Sequence, residues 1–223
     1  MPTTRTYGEA CPIAHSLDMI GDRWAMLVVR ELRLGPRRFS DLQASLPAAG
    51  PNMLAQRLRD LERFGVLTRR TLPPPAAAKI YELTEWGSEL EPVFRALARW
   101  GARAPAPPAG QRLSPDSVML GLRTFFVVPT EAPWSATYDV HLGDERYRVR
   151  VVDGQLTELT RTATDDPADA TLVFDDHMAM DALTAGLETL SELIERGALR
   201  LIGDADAARR LIDAVHKPQP TAT

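Results

Sequence analysis

The sequence predicts an α+β chain built from two unlike halves. Three observations carry that reading. Apolar residues recur at helical spacing through residues 24–61 and again through residues 86–100, with two short strand-like stretches between them. From residue 134 the apolar period changes to two. Between the halves lies residues 102–110, Ala-Arg-Ala-Pro-Ala-Pro-Pro-Ala-Gly, whose three prolines no helix can continue through. A semi-rigid extended linker is expected at 105–110, so residues 1–104 form one domain and residues 111–217 another. Residues 218–223, rich in Pro and Thr, are expected to be a disordered tail.

In the first half, Trp24, Leu27, Val28 and Leu32 mark a helix that Gly35-Pro36 ends. Ser40 is the expected N-cap of a short helix that Pro47 stops. Pro51 starts the next helix at its first position, Leu54, Leu58 and Leu61 form its buried stripe, and Gly65 closes it. Residues 66–72 and 79–83 read as two strands, with Pro73-Pro74-Pro75 turning between them. Thr84 caps one longer helix, in which Trp86, Leu90, Val93, Phe94, Leu97 and Trp100 recur on one face. Three helices, a two-stranded ribbon and a helix make a winged helix-turn-helix domain.

In the second half, Ala136, Tyr138, Val140 and Leu142 alternate with polar residues, as do Tyr147, Val149 and Val151 with Arg146, Arg148 and Arg150. Gly143-Asp144 reads as a two-residue hairpin turn. That turn sets Val140 opposite Tyr147, Tyr138 opposite Val149 and Ala136 opposite Val151, so register and apolar pattern agree. Asp153-Gly154 signals a second hairpin. A strand near 170–174, helices near 176–184 and 189–196, a strand at 199–202 and a helix at 204–215 complete an α+β domain with a mainly antiparallel sheet.

Charge separates the halves further. The chain carries net charge −4, an argument against a polyanion partner. Residues 1–110, however, hold 15 Lys and Arg against 11 Asp and Glu, a net +4, while residues 111–223 hold 11 against 19, a net −8. A basic half for a polyanion and an acidic half with another task follow. No apolar run approaches the roughly 18 residues that span a bilayer, so no membrane partner is expected. Residues 1–10 are polar and lack a secretory signal's apolar segment. One cysteine, Cys11, forms no internal disulfide. A reducing cytoplasm is the expected setting.

The basic half concentrates its chemistry around the helix that starts at Pro51. With Leu54, Leu58 and Leu61 turned inward, the opposite face centres on Asn52, Gln56, Arg59 and Arg63, flanked by Met53, Ala55 and Asp60. Asn and Gln pair with adenine in the major groove and Arg with guanine. A solvated helix face has a similar composition, so the flanks matter. Arg37 and Arg38 precede the short helix, and Arg69, Arg70 and Lys79 lie on the ribbon. Such cations on either side of a groove bind phosphates. With Arg57 on the same helix, these residues are the candidate contacts to double-stranded DNA.

Residues 11 to about 100 resemble the HxlR family of winged-helix regulators. The resemblance rests on Cys11-Pro12-Ile13, Ile20-Gly21-Asp22-Arg23-Trp24, Arg30-Glu31-Leu32 and the run from Gly35 through Leu42. It continues through Asn52 to Glu62, Tyr81-Glu82-Leu83-Thr84, Gly87 and Trp100-Gly101. It implies a bacterial-type transcription regulator, more a repressor than an activator. It also implies a homodimer held by the N-terminal segment and the last helix of this domain, on a near-palindromic operator with half-sites about 34 Å apart. Two features depart from the family pattern. Gly50 replaces the usual serine at the recognition-helix N-cap, and the wing tip, Pro75-Ala76-Ala77-Ala78, lacks a basic residue.

Cys11 falls where many members of that family carry a cysteine, and some of those sense oxidants or electrophiles. It precedes Pro12 and a helix start, whose dipole favours a thiolate. The competing reading is a small buried residue at the dimer interface. Without a second cysteine, only a Cys11–Cys11 bridge between copies, a mixed disulfide or alkylation is open to it.

The second half resembles the sterol-carrier-protein-like fold through residues 138–142, Val151-Val152-Asp153-Gly154, Ala168-Asp169-Ala170 and the run from Gly197 to Asp204. The resemblance implies an apolar tunnel for a small molecule or lipid, with Phe125, Phe126, Trp134, Tyr138, Met178, Leu183, Leu187 and Leu190 as candidate lining. These residues equally suit a plain core. Such a ligand would modulate DNA affinity. The competing classes are an enzyme and a dimeric lipid-binding protein without DNA. His15, His141, His177 and His216 are scattered, with no metal-ligand spacing. Asp165-Asp166 and Asp175-Asp176-His177 suit turn and cap chemistry better than a metal site. No nucleophile elbow, P-loop or dinucleotide fingerprint occurs. No cofactor, no metal and no catalysis are expected.

Overall fold

The structure, a computed structural model, describes residues 6–74, 77–105, 113–128, 133–162, 164 and 166–218. Residues 106–110 of the expected linker, 219–223 of the expected tail, Pro75 and Ala76 of the wing tip, and Asp165 lie outside the described residues. The chain divides into two compact units, Met1–Phe94 and Arg95–Thr223.

The first unit opens with α1 (Pro12–Ile20) and α2 (Ala25–Leu32), then β1 (Arg37–Arg38), α3 (Phe39–Ser45) and a 3₁₀ turn at Pro47–Ala49. Helix α4 (Pro51–Arg63), strands β2 (Leu67–Thr71) and β3 (Lys79–Leu83), α5 (Glu85–Ser88) and the start of α6 (Glu91–Gly101) follow. The ribbon is the expected one. β1 joins it as a third strand, in the order β1-β3-β2. Leu54, Leu58 and Leu61 of α4 are buried with Val28, Val29, Leu32 and Leu42 in one core. Each such leucine contributes roughly 2 kcal/mol relative to exposure.

Two local readings change. Ser40 is not the N-cap of α3. Arg38 is, and the Asp41 carboxylate closes the turn by accepting from its backbone N–H at 3.1 Å. The single long helix after Thr84 is two. Thr84 caps α5 as expected, its Oγ1 accepting from Gly87 N at 2.9 Å. Pro92 cannot donate to the carbonyl four residues back, so the helix ends after Ser88 and restarts at Glu91. Gly87 must be glycine, because a Cβ there would stand 1.9 Å from the Val66 carbonyl oxygen.

The second unit begins within α6. Arg95 and Arg99 donate to the carbonyls of Arg123 at 3.1 Å and Thr124 at 3.2 Å. The acceptors lie on α7 (Pro115–Phe125), a helix the apolar pattern does not predict. Strands β4 (Ala136–Leu142), β5 (Glu145–Val152), β6 (Gln155–Arg161), β7 (Ala170–Phe174) and β8 (Leu199–Gly203) form one sheet, ordered β6-β5-β4-β7-β8. The remaining elements are α8 (His177–Thr184), α9 (Leu190–Glu195) and α10 (Ala205–Asp213). The first hairpin has the expected register, with Tyr138 opposite Val149 and Val140 opposite Tyr147. The sheet is mixed, since β7 runs parallel to β4. Asp116 of α7 is fully buried, accepts from the Tyr147 hydroxyl at 2.7 Å and pairs with Arg161, which ties α7 to the sheet. Burial, and then the Asp116 charge, raise the Tyr147 phenol's pKa.

Gly50 sits at φ +68° and ψ 151°, backbone that an L side chain enters at a cost of about 1–3 kcal/mol. A serine cap returns about 1 kcal/mol at most positions. The strain wins. Gly50→Ser therefore lowers stability by about 1 kcal/mol in urea unfolding, and an increase would show that the cap dominates.

Candidate nucleic-acid interface

Helix α4 offers one face because it commits the other. Asn52, Met53, Arg59 and Arg63 are exposed on the side away from the buried leucines, and Gln56 is half-buried. Hydrogen bonds organise that face. Gln56 Nε2 donates to Asp60 Oδ1 at 2.9 Å, and Arg59 donates to Gln56 Oε1 at 2.7 Å. Arg63 lies 3.9 Å from the same carboxylate and 4.7 Å over the Phe64 ring. Asp60, read from the sequence only as a flank, is thus the hub that orients an amide and a guanidinium, the two groups that read adenine and guanine.

Two candidate contacts are set back from the surface. Arg37 is 6% exposed, in β1 against β3, so it cannot reach a phosphate without moving the strand. The Arg57 side chain is 14% exposed and pairs with Asp22, in the turn before α2, and with Asp60 at 3.4 Å. It braces α4 against the turn that precedes α2. Both are cations in the sequence, and arginines are mostly exposed, so residue type alone pointed outward where the fold turns these two inward.

The wing cations are at the surface. Arg38, Arg69, Arg70 and Lys79 are exposed. Arg69 stands 3.9 Å from Glu62, and Arg70 stands 2.7 Å from Glu82. Surface pairs of this kind contribute between 0 and about 1 kcal/mol, so a phosphate displaces the carboxylates readily. Cys11 caps α1 and is exposed. Backbone N–H groups of Ala14 and then Ile13 hold its thiol below the ordinary value. Ile13 and Leu17 on α1, and Trp86, Val93, Leu97 and Trp100 on α5 and α6, are large apolar side chains left exposed.

The candidate lining of the second unit does not come together as a tunnel. Phe126, Tyr138 and Leu183 are core, while Met178 is 40% and Leu187 75% exposed. Phe125, Trp134 and Leu190 are half-buried. The Tyr138 hydroxyl donates to the Ala207 carbonyl at 3.0 Å and accepts from Trp134 Nε1 at 2.8 Å, which places the ring in the core's own bonding. Leu183 and Leu190 do share an open cleft of about 550 Å³, with Ile212, Val215, Arg209 and Lys217. Among the described residues, no group of three or more His, Cys, Asp or Glu side chains is placed to hold a metal ion. No helix among them is long and apolar enough to cross a membrane.

A helix with an organised amide and guanidinium face, flanked by a cationic ribbon, defines a winged helix-turn-helix DNA-binding domain. The comparisons agree. Residues 19–107 match the family model described as HxlR-like helix-turn-helix. The HTH-type transcriptional regulator sll1512 of Synechocystis is 38% identical over 95 residues, 43% of this chain and 70% of that protein. The reduced form of the transcriptional regulator YodB from B. subtilis is 34% identical, covering 43% of this chain and 94% of that one, with a TM-score of 0.39. The redox regulator HypR in its oxidised form is 30% identical, covering 44% and 100%, with a TM-score of 0.41. The chain belongs to the HxlR-like helix-turn-helix family, and it is a DNA-binding transcriptional regulator. Its second half is similar to a different family from the one expected: residues 134–221 match the model for the alkyl sulfatase C-terminal region.

The two kinds of arginine separate experimentally. Arg69→Ala with Arg70→Ala should lower the slope of log affinity against log salt by about 2, near one per lost phosphate contact, with stability unchanged. Arg57→Ala should instead lower the unfolding free energy by about 1 kcal/mol, as expected for a partly screened pair. Equal stabilities for wild type and Arg57→Ala would return Arg57 to the DNA.

Proposed function

We propose that the protein works in the cytoplasm as a homodimeric repressor on a near-palindromic operator, α4 of each copy entering one of two successive major grooves. The observation that carries it is the α4 face, where Asp60 accepts from Gln56 and Gln56 in turn accepts from Arg59, an ordered pair turned toward base edges. The exposed apolar residues of α1, α5 and α6 support the dimer, since such surfaces mark interfaces and a two-fold axis pairs each patch with its own copy. Binding to DNA from upstream of its own gene should be tight, selective and salt-sensitive. Gln56→Ala and Arg59→Ala should each weaken selective binding by about 1–3 kcal/mol. Sedimentation should give a dimer at micromolar concentration that Leu97→Asp dissociates. Equal affinity for every duplex, or a wild-type monomer, would count against this reading.

A redox- or electrophile-responsive mode acting through Cys11 is the second reading. Exposure and the two backbone N–H groups that favour its thiolate support it. Among the relatives above, one is described as a redox regulator in oxidised form. Alkylation of Cys11 should proceed below the pH at which an ordinary thiol reacts, and oxidation should shift operator affinity. Unchanged affinity with Cys11 demonstrably oxidised would remove it.

The second unit is read as a non-catalytic, sterol-carrier-like sensor whose ligand is an apolar small molecule or lipid in the cleft at Leu183, Leu190 and Ile212. Its volume falls in the range of small-molecule sites, roughly 300–1,000 Å³. A ligand acts on the DNA equilibrium only through different affinities for the two states. A hydrophobic metabolite that raises the melting temperature should therefore also change operator affinity. A panel that stabilises the protein without changing DNA binding would exclude coupling.

A further inference from the structure

The sheet of the second unit has one buried face and one open face. Tyr138, Val140, Val149, Leu172 and Phe174 fill the buried face. On the open face, strand pairing sets the side chains in rows. Arg146 lies opposite His141, His141 opposite Val173, and Val173 opposite Arg200. Residues paired directly across strands project from the same face, so Arg146, His141 and Arg200 form one row. The row runs from β5 through β4 and β7 to β8, three strand spacings or about 14 Å.

The next two rows are neutralised from within. Arg148 donates to both oxygens of Asp139 at 2.9 Å, and Arg150 stands 3.6 Å from Glu158. The first row has no such partner. Arg146 and Arg200 are exposed, and neither guanidinium makes a hydrogen bond or ion pair among the described residues. Both act on His141: burial and then the field of Arg146 hold the imidazole below its ordinary pKa, Asp139 opposes them, and Arg200 adds a smaller push in the same direction. This concentration of positive charge lies in the half of the chain whose net charge is −8.

We propose that Arg146 and Arg200 form a second DNA-backbone contact, each taking one phosphate of a duplex, in addition to the groove contact of α4. The anion must present at least two charges spread over the span of the row. Duplex DNA carries one charge per about 1.7 Å of axis, and it is already the chain's partner. No Phe, Tyr or Trp lies in these three rows, so the face lacks the stacking platform that single strands require. The contact carries no base information, because it ends at phosphates.

The test is the salt dependence of duplex binding by the full chain. The double variant Arg146→Ala, Arg200→Ala should reduce the slope of log affinity against log salt by about 2. Its base preference and melting temperature should match wild type. Arg146→Lys with Arg200→Lys, which keeps the charge, should retain the wild-type slope. An unchanged slope in the alanine variant overturns the proposal. So does a slope equally reduced in the lysine variant, which would mean that packing rather than charge was lost. Because the proposal rests on the chain binding DNA, wild type that binds no duplex defeats both. An unchanged slope beside intact, α4-dependent selectivity defeats this one alone.

Discussion

The first unit depends on a single division of labour within α4. Leu54, Leu58 and Leu61 anchor one side in the core, and that anchoring fixes which side remains outside. A recognition helix is useful only if its outward face cannot roll. The leucines set the angle, and Arg57, paired with Asp22 in the turn before α2, resists rotation. Pro51 and the backbone of Gly50 set where the helix begins. Asp60 then orders the outward side chains, so less rotamer entropy is lost when DNA arrives.

Electrostatics divides the chain the same way. Cations that brace the fold are buried beside carboxylates, as with Arg57 in the first unit and Arg161 with Asp116 in the second. Cations suited to a polyanion are exposed, and either weakly paired, as Arg69 is, or unpaired among the described residues, as Arg200 is. Breaking the pair at the fully buried Asp116 leaves a buried charge and costs about 3–5 kcal/mol, whereas the Arg57 pair, whose Asp22 is exposed, is partly screened. Exchanging an outer carboxylate for a phosphate costs little. Net charge averages over both groups, so −4 says little about where DNA binds.

Much of this was legible in the sequence because local pattern determined it. The leucine stripe of α4 has one helical solution, and the turn at Gly143-Asp144 left one register that buried Tyr138, Val149 and Val140 together. What escaped depended on neighbours distant in sequence. α7 is buried on several sides, at Val118, Met119, Leu120 and Leu122, so it shows no helical stripe; its cap at Ser114-Pro115 was the available signal. The parallel pairing of β7 with β4 arises from a crossover that alternation cannot reveal. The break before Pro92 was readable from that proline, but the apolar spacing from Trp86 to Trp100 runs across it. In the site, the outward residues of α4 followed from the wheel, whereas the inner positions of Arg37 and Arg57 required the fold. The exposed Leu187 shows the same limit for a proposed pocket: apolar character does not specify what a side chain packs against.

On the proposed reading, α4 reads bases while the exposed cations of the ribbon, Arg69, Arg70 and Lys79, hold phosphates. Selection of bound duplexes from a randomised pool tests it most directly, with wild type and Arg59→Ala compared side by side. The account predicts that the variant loses discrimination at one position in each half-site, symmetric about the dyad, and keeps the rest of the preferred sequence. An identical preference at every position would contradict it and would move base recognition away from α4.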